Sequence, residues 1–188
     1  PAGTRSLLFR LTSPENKGMK LDDLFIVPCI PMKVNQQVEM TSSVYPVMVR
    51  IPCNPVLSLN VRTDGCLNPQ FLTAVNLDFT GTTKLSDIAS VTVIRGEEEP
   101  LIHHGEELFP KDSSQVLGTV KLAGSARPQI SVKGNMELEP GDNYLWACVT
   151  MKEGASLDGR VVVRPASVVA GNKLVKVANA APVAQRIG

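Results

Sequence analysis

Short runs of alternating apolar and polar residues, broken by Gly, Pro, Asn and Asp, dominate this chain. That is the period of β-strands, not of helices. Val56-Leu57-Ser58-Leu59-Asn60-Val61-Arg62 alternates around Leu57, Leu59 and Val61 before Asp64-Gly65 turns the chain. In Phe71–Phe79 the alternation puts Phe71, Thr73, Val75, Leu77 and Phe79 on one face, with Asn76 and Asp78 on the other. Ser90–Arg95, Gln115–Leu122, Gln129–Val132, Arg160–Arg164 and Leu174–Val177 read as further strands. Glu139-Pro140-Gly141-Asp142-Asn143 is a turn, and Tyr144–Met151 follows it. Tyr144, Trp146, Cys148 and Thr150 share one face of that strand; Leu145, Ala147, Val149 and Met151 share the other. A strand apolar on both faces is predicted to be central and covered on both sides.

Helical signal is confined to one turn at Lys84–Ala89, with Thr82 or Thr83 as its expected cap. Fourteen Pro and fourteen Gly leave no window for a long helix. Ser6–Thr12 and Leu24–Val27 read as strands; Pro28, Pro31, Pro46, Pro52 and Pro55 suit edge strands or extended linker. The predicted fold is all-β, an antiparallel β-sandwich of jelly-roll type with little or no helix.

Hydrophobic residues are 43% of the 188, enough for a real core. Net charge is +1, which gives no general pull toward nucleic acid, an anionic membrane or an acidic substrate. No apolar stretch approaches the roughly 18 residues of a membrane helix, and no signal-peptide pattern opens the chain. Cys29, Cys53, Cys66 and Cys148 have no C-x-x-C spacing, which argues against zinc. Buried thiols and one or two disulfides stay open, and four cysteines allow three full pairings.

Motifs for chemistry are missing. His103 and His104 are adjacent between Pro100 and Gly105. With Glu106 or Glu107 they would need a converging loop to hold a metal or serve a small hydrolase, and a solvated loop is the ordinary reading. No nucleophile elbow and no phosphate-binding glycine pattern occurs. Asp and Glu lie mostly beside Gly or Pro, where turn formation explains them. No catalytic residue, metal site or cofactor is expected. Sugar sites favour exposed aromatic platforms, and this chain is 4% aromatic. Tyr144 and Trp146, on one strand face, are the candidate glycan or inter-domain contact; core packing is the ordinary role for a strand this apolar.

Three segments carry a resemblance. Leu85-Ser86-Asp87-Ile88-Ala89-Ser90-Val91 resembles an L-S-D-I-x-S-I/V step. Leu138-Glu139-Pro140-Gly141-Asp142-Asn143-Tyr144-Leu145-Trp146 resembles an L-x-P-G-x-N-Y-F/L-W signature, and Met151–Leu157 the loop that follows it. With Pro55–Leu59 and Leu72–Phe79 as opening strands, residues 44–188 resemble the N-terminal, BNR-repeat-associated accessory domain of Bacteroidetes-type bacterial sialidases. That domain precedes a catalytic six-bladed propeller, and Gln185–Gly188 resembles the lead-in to it. The resemblance implies a β-sandwich at 44–183, the start of a linker at 184–188, and an extension of open role at 1–43. The arginine cluster, acid/base aspartate, nucleophilic tyrosine and S-x-D-x-G-x-T-W repeats of those sialidases have no counterpart here, so no catalytic residue carries over.

The implied function is a non-catalytic accessory domain of an exported sialidase. It would pack on and position the propeller that cleaves terminal sialic acids from host glycans. The alternative is a carbohydrate-binding module for mucin-type glycans. Expected partners are the propeller of the same chain and host glycans, without nucleic acid or membrane insertion.

Overall fold

The computed structural model describes residues 30–43, 45–98, 115–122, 127–178 and 180–188. The strands expected at Ser6–Thr12 and Leu24–Val27, and His103, His104, Glu106 and Glu107, lie outside them. The described elements are β1 (Lys33–Val34), β2 (Gln37–Ser42), β3 (Asn54–Asn60), β4 (Thr63–Asp64), β5 (Phe71–Asp78) and β6 (Ile88–Gly96). They continue with β7 (Val116–Lys121), β8 (Gln129–Glu137), β9 (Tyr144–Met151), β10 (Arg160–Ala170), β11 (Lys173–Val177) and β12 (Val183–Arg186). No α-helix occurs among the described residues; a 3-10 turn spans Leu85–Asp87.

The strands join in the order β7-β6-β9-β3-β2-β11-β10-β5-β8, with β12 beside β10 and a separate β1–β4 ribbon. This is the all-β architecture that the alternation predicts. β9 lies between β3 and β6, in the central place its two apolar faces require. Pairing is antiparallel apart from β11 against β2, which are parallel over two residue pairs. β2 and β12 bring residues 37–42 and 183–186 into this architecture.

One continuous core fills the interior. Leu57, Leu59, Leu145 and Val149 face inward from one half, Val75, Leu77, Val132 and Val168 from the other. The two ends of the strand order also meet, at Gly118 of β7 and Gly134 of β8. A Cβ on Gly118 would strike the Lys133 carbonyl oxygen, and one on Gly134 the Leu117 carbonyl oxygen. Glycine at both positions lets two backbones touch, so the sandwich closes nearly into a barrel.

Several expectations change on inspection. Phe71 is exposed and Thr73 half-buried, while Leu72 is fully buried. A bulge between Leu72 and Ala74 switches the faces of β5, so the inward set is Leu72, Val75 and Leu77. Thr82 and Thr83 do not cap the 3-10 turn. Thr82 Oγ1 donates to the Val162 carbonyl and accepts from the Val162 N–H, while Thr83 Oγ1 accepts from the Arg160 N–H. Pro55 sits in interior strand β3, just past the end of the β2 pairing, at a register shift where its missing N–H costs no ladder bond. β10 continues six residues beyond Arg164 because a second irregularity, between Pro165 and Ser167, absorbs the proline.

Two buried aspartates tie loops to this frame. Asp78 Oδ1 accepts from the Thr80 hydroxyl at 2.6 Å, and its Oδ2 takes two guanidinium bonds from Arg164 at 2.8 and 2.6 Å. Asp87 accepts from the Ser156 N–H at 3.0 Å and lies 3.2 Å from Lys84 Nζ. The Thr80 hydroxyl and N–H, then Arg164, hold Asp78 below its ordinary value of 3.8 against the opposing effect of burial. The Ser156 N–H, then Lys84, does the same for Asp87. A depressed folded pKa means the stabilisation is present above the unfolded value and lost as pH falls through 3.8 toward the lower folded one. Asp78→Asn is predicted to cost about 1.5–3 kcal/mol at pH 7 and to flatten the acid limb of the stability curve. Urea denaturation at neutral and acid pH reads both effects.

Candidate functional site

The strand carrying Tyr144 and Trp146 has a built outer cover. Cys53, just ahead of β3, is disulfide-bonded to Cys148 of β9. Trp146 packs with this bridge and Ile94, and the half-buried Val116 closes the cluster. The indole is 4% exposed, and its Nε1 donates to the Glu97 carbonyl at 2.9 Å. Gly96 makes room for the ring, since a Cβ there would stand 2.8 Å from Trp146 Cδ1. Cys66 is also disulfide-bonded.

Tyr144 has a different setting. It is half-buried, and the strand register places it opposite Asn60 of β3 and Gly96 of β6. Burial, then the nearby Glu98, Asp142 and Glu39, raises its phenol above the ordinary value. The two aromatics named from the sequence thus share a face but differ in access. Trp146 is sealed under the sheet's outer cover, and Tyr144 borders a cluster of polar side chains.

That cluster lines a groove of about 700 Å³ across the outer side of β11, β2 and β3 and the turn before β9. Gln37, Glu39, Asn60, Arg62, Asp142 and Lys176 are its principal walls. Asn60 Nδ2 donates to Asp142 Oδ1 at 3.0 Å, and Arg62 Nε lies 3.9 Å from the same oxygen. The turn itself is rigid. Buried Asn143 donates to the Val61, Glu139 and Gly141 carbonyls and accepts from the Glu139 N–H at 2.8 Å. Gly141 supplies the positive φ of 93° that the turn needs.

A third surface lies at the end where β12 finishes. The loop at 45–51 presents Tyr45, Met48 and Ile51 at 45%, 44% and 40% exposure. This loop is strongly held. Val47 N–H donates to Arg186 O, Gly188 N–H to Val47 O and Val49 N–H to Gly188 O. Buried Asn54 accepts from the Met48 N–H at 2.7 Å and donates to the Met48, Ile51 and Val149 carbonyls. Arg50 is in the left-handed region at φ 71°, a strained conformation kept by these surrounding bonds.

Sequence reasoning missed the groove and this loop. The groove gathers single residues from separate strands, and the loop's apolar residues have no strand or helix period. The one local signal was an unexplained cluster of exposed-type apolar residues among prolines. Among the described residues no cluster of three His, Cys, Asp or Glu is placed to hold a metal ion.

Residues 35–174 match a family model described as the N-terminal domain of BNR-repeat neuraminidase. A solved structure described as Hadza microbial sialidase Hz136 has the same fold, with a TM-score of 0.61 at 20% identity. The likeness covers 80% of this chain and 31% of that one, so this chain spans under a third of that sialidase's length. No curated protein matches the chain.

The outer cover of β9 makes a direct prediction. A disulfide beside an indole quenches its fluorescence, and Trp146 is the one tryptophan in the chain. Replacing Cys53 and Cys148 together by Ala should raise Trp emission and cost about 2–5 kcal/mol of stability. Steady-state fluorescence and guanidinium denaturation check the two parts.

Proposed function

The chain belongs to the family of N-terminal domains of BNR-repeat neuraminidases, and we propose that it is the non-catalytic accessory domain that packs on and positions a sialidase propeller. The observation that carries this reading is the apolar loop at 45–51, hydrogen-bonded to the C-terminal segment 186–188. In an N-terminal domain, the next domain is reached through that segment. Tyr45, Met48 and Ile51 therefore stand where a following domain would first make contact. Three exposed apolar residues within seven positions of one braced loop suit a contact surface. Burying them against a neighbour would contribute to an interface of the roughly 600–1,500 Å² usual between domains.

The disulfides fit an exported protein, because such bonds persist in oxidising compartments. The propeller, with its removal of terminal sialic acids, belongs to the rest of the parent chain in this reading. A second reading, recognition of host glycans by this domain itself, is favoured by the polar groove beside Tyr144.

The docking reading is tested in a parent chain that holds both domains. Met48→Asp with Ile51→Asp should lower the melting point of the isolated accessory domain only modestly, since the two residues are 44% and 40% exposed, and that shift sets the baseline. In the two-domain chain the same pair should lower the propeller's melting temperature by several degrees, at about 2–4 °C per kcal/mol lost. An unchanged propeller transition in the double variant would sink the reading.

A further inference from the structure

We propose that the groove across β11, β2, β3 and the 139–143 turn binds a neutral hexopyranose, a sugar ring that carries hydroxyls but no carboxylate. The proposal deepens the glycan-recognition reading and does not depend on docking. Its size fits: about 700 Å³ lies within the range of small-molecule clefts, roughly 300–1,000 Å³.

The charges select for neutrality. Glu39 and Asp142 supply two carboxylates, Arg62 and Lys176 two cations. Arg62 is already turned toward Asp142, with Nε 3.9 Å from Oδ1. An anionic sugar entering here would compete with Asp142 for Arg62 and would face the second carboxylate, Glu39. A hydroxyl has no such conflict, since it donates to a carboxylate and accepts from a guanidinium or ammonium. Gln37 and Asn60 add amide groups that do the same.

Asn60 supplies the most specific observation. Its Nδ2 is used on Asp142, while its Oδ1 is covered from solvent and has no hydrogen-bond partner. A buried acceptor left unmade is costly. The terminal torsion of Asn is broad, so a partial turn of the amide can uncover Oδ1 for a ligand hydroxyl while Nδ2 stays on the groove side. That hydroxyl's own oxygen lone pairs remain free for Arg62 or Lys176. Asp142 then accepts from a second hydroxyl in place of the amide.

Leu174, 66% exposed, is the apolar side chain that lines the groove and can meet the C–H face of a ring. Tyr144 stands opposite Asn60 in the strand register, half-buried beside the groove and not in its lining. The groove floor is rigid because Asn143 and Thr63 fasten the turn that carries Asp142.

The test is a two-dimensional NMR titration of the 188-residue chain with methyl β-galactoside, methyl α-glucoside and N-acetylneuraminic acid. At least one neutral glycoside should shift amides at 35–39, 60–62, 141–144 and 174–176, with a dissociation constant of order 1–10 mM. N-acetylneuraminic acid should leave those amides in place. Asn60→Ala and Asp142→Ala, each checked for an unchanged melting point, should weaken binding about tenfold or more. Preferential binding of N-acetylneuraminic acid in the groove would overturn the neutral-sugar assignment while leaving glycan recognition standing. Neutral-sugar shifts confined to other residues would overturn the site, and silence from all three probes would overturn both.

Discussion

β9 is apolar on both faces, and the rest of the domain is arranged to keep both away from water. One face is met by the main core through Leu145, Ala147, Val149 and Met151. The other needs its own cover, which the Cys53–Cys148 bridge, Ile94 and Trp146 provide. Fully burying side chains of this size contributes about 1.5–3 kcal/mol each, so leaving that face open would be expensive. The cover in turn fixes other choices. Gly96 must be small, and the Glu97 carbonyl must turn toward the indole. The tryptophan is thus committed to the strand that carries it.

The residues that give the chain its family likeness are mostly fasteners. Asp87, in the Leu-Ser-Asp-Ile step, binds the Ser156 N–H through its carboxylate and the Lys152 N–H through its carbonyl. Two segments far apart in sequence are therefore one joint. Asn143, in the Pro-Gly-x-Asn-Tyr signature, closes its own turn and reaches Val61 across the strand gap. Gln185 performs the same task near the C-terminal end, donating to the Ser43 and Val56 carbonyls. The bonds these buried groups make offset the cost of burying them, although Gln185 Oε1 has no hydrogen-bond partner. Such a motif identifies an architecture rather than a reaction.

Strand identity was legible wherever one side of a strand meets the core. Tyr144–Met151 was readable to the residue, including its central position. Bulges were not: the shift at Leu72–Ala74 moves Phe71 and Thr73 off the face their alternation assigns, and no local residue announces it. β2 was invisible because its outward positions are Gln37, Glu39 and Thr41, with Val38 its one fully buried side chain. Cysteine pairing depends on which strands lie side by side, which spacing alone does not encode. The same limit hid the groove, which gathers residues from separate strands; the loop at 45–51 is contiguous, but its apolar residues follow no strand or helix period.

Trp146 of the signature strand is sealed inside, and we propose that contacts to a neighbouring domain and to sugar are made on the 45–51 loop and in the polar groove. Oxidative footprinting of Met48 and Trp146 tests this most directly, comparing the isolated chain with a parent chain that includes the propeller. Met48 should oxidise readily in the isolated chain and become protected in the parent, while Trp146 stays slow in both. Equal Met48 oxidation in the two, or Trp146 protection gained only when the propeller is present, would contradict the account.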